Sequence, residues 1–285
     1  MDSARMAEKL MYAYCSMCKD HLPVEGCMHI NKGIVKTSQQ AVVIIETRLH
    51  TNLEFTILNA VCRAQGNFTM HIFVSKETSA FVHYIAEAYA LPIHMHAVPA
   101  IGCIDDYNRF LTSQQFWQTF VEEYVLIVQT DTLWIHSYDV QLLHKYAYLG
   151  APWTQDKERH IYDFKLRFNH DLKMHIKAQY GNGGFSWRSV AACKKVCSDT
   201  PWDSQRMQNG VGLPEDIYFC HNLQHLGLMN ASTDVAMAFS SEEVFSADAH
   251  ALHAPFKYQD LSQIGAHLQR HWLITKMMMM KASQS

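Results

Sequence analysis

The stretch EYVLIVQTDT, residues 123–132, changes character at one point. Its near-continuous apolar run suits a parallel strand covered on both faces. The four residues that follow, Gln129, Thr130, Asp131 and Thr132, are polar and include a single acid. In an open parallel sheet the loops gather, and ligands bind, at the carboxyl ends of the strands. The break after Val128 therefore marks both a fold class and a candidate site. Taken alone, Asp131 would serve equally well to end a strand and cap the turn after it.

Outward from this stretch, AVVIIET from Ala41 and FTMHIFVS from Phe68 read as two more buried strands. The first ends in Thr47 and Arg48, at the same kind of position as Gln129–Asp131. Between the two strands Leu53, Ile57 and Val61 recur at helical spacing, and Thr51 with Glu54 offers a capping box. A second helical stretch, DDYNRFLTSQQFWQTFVEEY, leads into Tyr124. Strands alternating with helices predict an α/β fold, Rossmann-like, with a mostly parallel sheet flanked by helices in a single domain. The expected division is an N-terminal extension over 1–35, the domain over 36–260, and a C-terminal helix and tail over 261–285, with KMMMMKASQS read as frayed.

The composition, 48% hydrophobic and 18% charged, is that of an ordinary globular chain. With 24 basic against 27 acidic residues and no basic block, nothing attracts nucleic acid. No apolar stretch approaches the ~20 residues needed to span a bilayer, and the N-terminus lacks the long apolar core of a secretion signal. These features predict a soluble, cytoplasmic protein without a membrane span.

Three later segments carry candidate chemistry. In GNGGFSWRS, Gly181, Gly183 and Gly184 permit close approach of a ligand to the backbone, and Ser186 or Ser189 opens a helix with Val190, Cys193 and Val196 on one face. A plain glycine turn before a helix is the alternative. LPEDIYF sets Glu215 and Asp216 just after Pro214, either as carboxylates for acid–base work or as first-turn acids that complement the helix dipole. In HALHAPFKY, His253 suits a metal and Lys257 a phosphate, although 18 histidines in the chain weaken any argument from one.

Taken in order, QTD at 129–131, GNGGFS at 181–186, PED at 214–216 and His253 resemble the signature of GT-A-type glycosyltransferases. With YLGAPW and AMAFSSE added, the chain over residues ~40–258 is similar to a glycosyltransferase-like family still classed as a domain of unknown function. The resemblance implies a GT-A-like fold and transfer of a sugar from a nucleotide-sugar donor to an acceptor that the sequence leaves open. It implies a divalent cation, Mn²⁺ or Mg²⁺, on Asp131 and His253, and a donor site that includes Gln129, Gly183 and Gly184. Asp216 matches the carboxylate that serves as general base, with Glu215 beside it. Thr47 and Arg48 are assigned to the nucleotide by position alone, and Lys257 by its chemistry. Gln129 departs from the pattern, since it replaces the usual first aspartate with an uncharged amide. That departure keeps a non-catalytic sugar-nucleotide-binding homologue open as an alternative.

The N-terminal Cys15, Cys18, Cys27 and His29 have the chemistry of a zinc site. Only the first pair has knuckle spacing, so a zinc-bearing interaction protein is the second alternative.

Overall fold

The computed structural model describes residues 3–31, 38–65, 68–154, 180–204 and 212–282. Six strands form the main sheet: β1 (Gln40–Ile45), β2 (Thr69–Val74), β3 (Ile93–Ala97), β4 (Tyr124–Val128), β6 (Tyr148–Leu149) and β7 (Phe185–Ser189), ordered β3-β2-β1-β4-β7-β6. The first four are mutually parallel, and β7 runs antiparallel to both β4 and β6. A small second sheet holds β5 (Thr132–Trp134), β8 (Ser240–Ser241) and β9 (Ala251–His253), in the order β5-β9-β8.

The period of a strand explains the layering. Val42 and Ile44 of β1, with Leu126 and Val128 of β4, face one core; Ala41, Val43 and Ile45, with Val125 and Ile127, face the other. Because both faces are covered, every residue of β1 is buried, and its sequence reads as an apolar run. The first core is closed by α1 (Ser3–Cys18), α2 (Val24–Asn31), α3 (Leu53–Ala64), α4 (Lys76–Ala88) and α10 (Leu261–Ala282). The second is closed by α5 (Ile104–Leu111), α6 (Gln114–Gln118), α7 (Val190–Asp199) and α8 (Glu215–His225). A further helix, α9 (Thr233–Phe239), leads into β8.

Several local expectations need correction. The helix after β1 has no Thr51 capping box: its N-cap is Asn52, which makes no side-chain cap bond, and Glu54 instead pairs with Lys19 at 2.6 Å. The stretch before β4 is two helices, broken where Ser113 accepts a hydrogen bond from the Phe116 amide and starts the second. The glycine segment feeds β7 first, so Ser186 opens no helix; Ser189 does, as the N-cap of α7 whose hydroxyl accepts from the Ala192 amide. That helix end lies beside Tyr124, the opposite end of β4 from the glycines. The chain over 276–282 continues α10 and is not frayed. In the N-terminal extension Ala7, Met11, Cys15 and Cys18 of α1 are buried in the first core, where α1 packs on α3 and α10.

Candidate functional site

The chain runs from β1 outward through β2 to β3 and then returns to place β4 on the other side of β1. This is the topological switch point of the sheet, where a crevice opens between two loops that leave in opposite directions. A cleft of ≈ 440 Å³ lies there, lined by Glu46, Thr47, Arg48 and His50 after β1, and by Gln129, Thr130 and Asp131 after β4. Residues Ile101–Ile104 and Tyr107, then Phe256 and Lys257, and Glu8 and Tyr12 of α1 complete the walls.

Each strand end is tied down. The Thr47 carbonyl accepts from the Ser75 hydroxyl at 2.7 Å, and its own hydroxyl accepts from the Ile101 amide at 3.0 Å. Glu46 is buried and grips the Arg48 guanidinium through two bonds of 3.0 Å. It also accepts from the Thr130 hydroxyl at 3.1 Å, so it clasps the ends of β1 and β4 together. Arg48 keeps 72% of its side chain exposed in the cleft.

Asp131 and His253 meet because of the small sheet. Antiparallel pairing of β5 with β9 sets Thr132 opposite His253, which brings the preceding Asp131 alongside. His253 Nε2 lies 3.1 Å from Asp131 Oδ1 and 3.1 Å from Gln129 Oε1, while its Nδ1 faces Glu242 Oε1 at 3.4 Å. Burial disfavours the charge on His253, but Asp131 and Glu242 overcome it and raise its pKa to about 10. Burial likewise opposes the Asp131 carboxylate, yet His253, followed by Lys257, holds it down at about 2. In the metal-free protein the pair is therefore an imidazolium and a carboxylate.

The same donors fit a divalent cation. A separation of 3.1 Å lets an Asp131 oxygen and His253 Nε2 share one ion at ordinary bond lengths, roughly 2.0–2.2 Å each. Glu242 behind Nδ1 would then fix the ring and its tautomer, as carboxylates do behind metal-bound histidines. The Gln129 amide is committed at both ends, to His253 and to the Tyr107 hydroxyl, which accepts from Nε2 at 2.9 Å. Among the described residues no group of three or more His, Cys, Asp or Glu converges as a cation cage. Further ligands would come from water or a bound anion.

Gly181 has a φ of 151°, whereas Gly183 and Gly184 act by space. A Cβ on Gly184 would overlap the His253 ring at Nε2, and one on Gly183 would overlap Glu215 Oε1. Neither glycine lines the cleft; both leave room for side chains that support it. Glu215 is buried in an ion pair with Arg188, Nη2 to Oε1 at 3.0 Å. The Arg188 guanidinium lies 4.8 Å from the Tyr148 ring centre and 5.4 Å from that of Phe219. With both oxygens on Arg188, Glu215 is a structural counter-ion. Asp216 is half-buried, does not line the cleft, and accepts from the Ile217 amide at 2.8 Å.

Thr47, Arg48, Gln129, Asp131 and Lys257 thus share one cleft, with His253 directly behind Asp131. Sequence reasoning missed Glu46, Glu242 and Arg188, and the α1 residues Glu8 and Tyr12. Glu46 closes AVVIIE and Glu242 closes AMAFSSE, so each stood inside a quoted motif. Cys15, Cys18 and Cys27 are buried in helix packing, and the His29 side chain falls outside the described residues. Cys103 is the exposed cysteine of the eight, and it lines the cleft.

With acids, cations and a paired histidine at its switch point, this is an α/β protein with a charged, polar cleft between the ends of β1 and β4. A family model described as "Protein of unknown function (DUF5672)" matches residues 93–258, more than half of the chain, and the protein belongs to that family. No curated protein matches the sequence. The matched segment contains Asp131, Glu242 and His253, whereas Glu8, Tyr12 and the β1 end precede it. Among the described residues no helix is long and apolar enough to cross a membrane.

Proposed function

We propose that this protein is a glycosyltransferase of GT-A type that binds a nucleoside diphosphate sugar in the switch-point cleft and transfers the sugar to an acceptor hydroxyl. The observation that carries this reading is the convergence of Asp131 and His253 at 3.1 Å, backed by Glu242, at the edge of a cleft that also presents Arg48 and Lys257. Two metal-ligating side chains and two nearby cations suit a diphosphate and its divalent metal better than either alone. The order of QTD, GNGGFS, PED and His253 along the chain supports the same reading.

Asp131 and His253 would hold the cation, which supplies charge stabilisation to the departing diphosphate. Lys257 and Arg48 add positive charge on the same side. Thr47, held by Ser75 and Ile101, positions the nucleotide, and Glu242 behind Nδ1 keeps the His253 ring aligned while Nε2 holds the cation. The PED resemblance makes Asp216 the candidate base, since Glu215 is occupied by Arg188; because Asp216 lies outside the cleft lining, the acceptor hydroxyl would have to approach from its side.

A panel of UDP-, GDP- and ADP-linked sugars, tested by thermal shift with and without Mn²⁺, checks the reading. At least one donor should raise Tm, and Mn²⁺ should increase the shift. No stabilisation by any donor with metal present counts decisively against it. For a donor that is turned over, Asp216→Asn should slow transfer or donor hydrolysis by roughly 10²- to 10⁴-fold with donor affinity little changed. If that variant is as active as the parent, Asp216 is a helix-dipole acid and not the base.

A further inference from the structure

The first turns of the chain reach the cleft although they lie far outside the family match. Helix α1 is anchored along one stripe: Ala7, Met11, Cys15 and Cys18 are buried, and the Tyr14 hydroxyl bonds His271 Nδ1 at 2.7 Å. Glu8 and Tyr12 are one helical turn apart and flank that stripe, so the packing that fixes α1 also fixes them. Both line the cleft.

Tyr12 belongs to an aromatic wall. Its ring centre is 5.4 Å from that of His50 and 6.2 Å from that of Phe256, with interplanar angles of 86° and 69°. Neither neighbour lies parallel to it. Phe256 leads directly to Lys257, whose ammonium is 5.9 Å from the Phe256 ring centre, and α1 packs against this Pro255–Lys257 turn. The wall therefore passes from aromatic surface to cation within a few ångströms. A ligand that matches this sequence has a planar ring joined to an anionic group.

Resting on the nucleotide-sugar reading above, we infer that α1 is part of the ligand site, with Tyr12 the contact for the nucleobase ring and Glu8 an acceptor beside it. The helix then helps to choose among nucleotides, a task that the strand-end residues Thr47 and Arg48 do not perform alone.

The test uses the full chain and measures binding of UDP, GDP, ADP and inorganic pyrophosphate by calorimetry in Mn²⁺. Tyr12→Ala should weaken the preferred nucleotide by roughly ten- to a hundredfold, as loss of ring stacking does. Pyrophosphate binding should stay within about twofold, which also shows that the cleft is intact. Tyr12→Phe keeps the ring and should bind the nucleotide within a few-fold of the parent. If the parent binds a nucleotide and Tyr12→Ala binds it equally, the assignment of Tyr12 is wrong while the function reading survives. If Tyr12→Ala loses pyrophosphate in proportion, Tyr12 shapes the cleft and does not contact the ring. If the parent binds none of the four probes, both the reading and this inference fall.

Discussion

His253 is the residue on which the site turns, and its surroundings make two substitutions informative. Asp131→Asn keeps the shape of the side chain but removes the charge that a cation needs. It should abolish the Mn²⁺-dependent part of donor stabilisation while the protein stays folded, since Asp131 sits at a loop edge and carries little of the core. Unfolding of this variant, or unchanged metal dependence, would make Asp131 a structural residue. Gly184→Ala tests the same geometry from behind. Its new methyl group overlaps the His253 ring, which is walled in by Asp131 and Glu242 and has nowhere to retreat. The expected cost is about 1–3 kcal/mol in urea denaturation, together with loss of Mn²⁺ dependence, although the added methyl group itself would touch no ligand. Retained metal dependence would show that the ring is free to move.

At the scale of elements, β7 and α8 are joined by the buried Arg188–Glu215 pair. Removing one partner leaves an uncompensated buried charge, whereas removing both need not be costly. Arg188→Met alone should lose about 3–5 kcal/mol of stability, and Arg188→Met combined with Glu215→Leu should recover most of it; equal losses in the two proteins would contradict the account. This pair was not legible in the sequence, because Glu215 following a proline looks like any first-turn acid and nothing periodic links it to Arg188. The same limit hid β3. Its residues IHMHA lie on the sheet edge, partly exposed and rich in histidine, and lack the apolar run that gave away β1 and β4. Strands covered on both faces announce themselves; edges and long-range partners do not. Asp131 was legible from its place at a strand end, its pairing with His253 only through the order of motifs along the chain, and the approach of α1 to the cleft had no local signal at all.

For the whole molecule, the buried histidines set how stability depends on pH. Burial pushes His221 and His267 down to about 4 and His271 well below its ordinary value, so the folded protein holds them neutral. The unfolded chain takes up these protons near pH 6.5. Their contribution is therefore complete above that pH and is lost as pH falls from 6.5 towards 4, at a cost on the order of 1–3 kcal/mol for each of His221 and His267. His253 behaves oppositely in the metal-free protein. Its raised pKa gives stability that is complete below 6.5 and lost as pH rises through about 10. The Tm of the metal-free protein, followed from pH 4 to 10, should peak near pH 6.5 and fall on both sides. A Tm that climbs steadily to pH 9 would mean that His253 is not held as an imidazolium, and no decline below pH 6 would mean that the three buried histidines are solvated.

The uneven burial of the cysteines has a practical consequence. Seven of the eight thiols are enclosed by packing, and Cys103 alone faces outward, on the rim of the cleft. A maleimide should thus modify the native protein once and the denatured protein eight times, a difference that mass spectrometry counts directly. A fluorophore placed there reports on the mouth of the cleft without any engineered residue. Saturating nucleotide should slow the labelling of Cys103, and modification of several thiols under native conditions would instead reveal that the helical layers open far more readily than their packing implies.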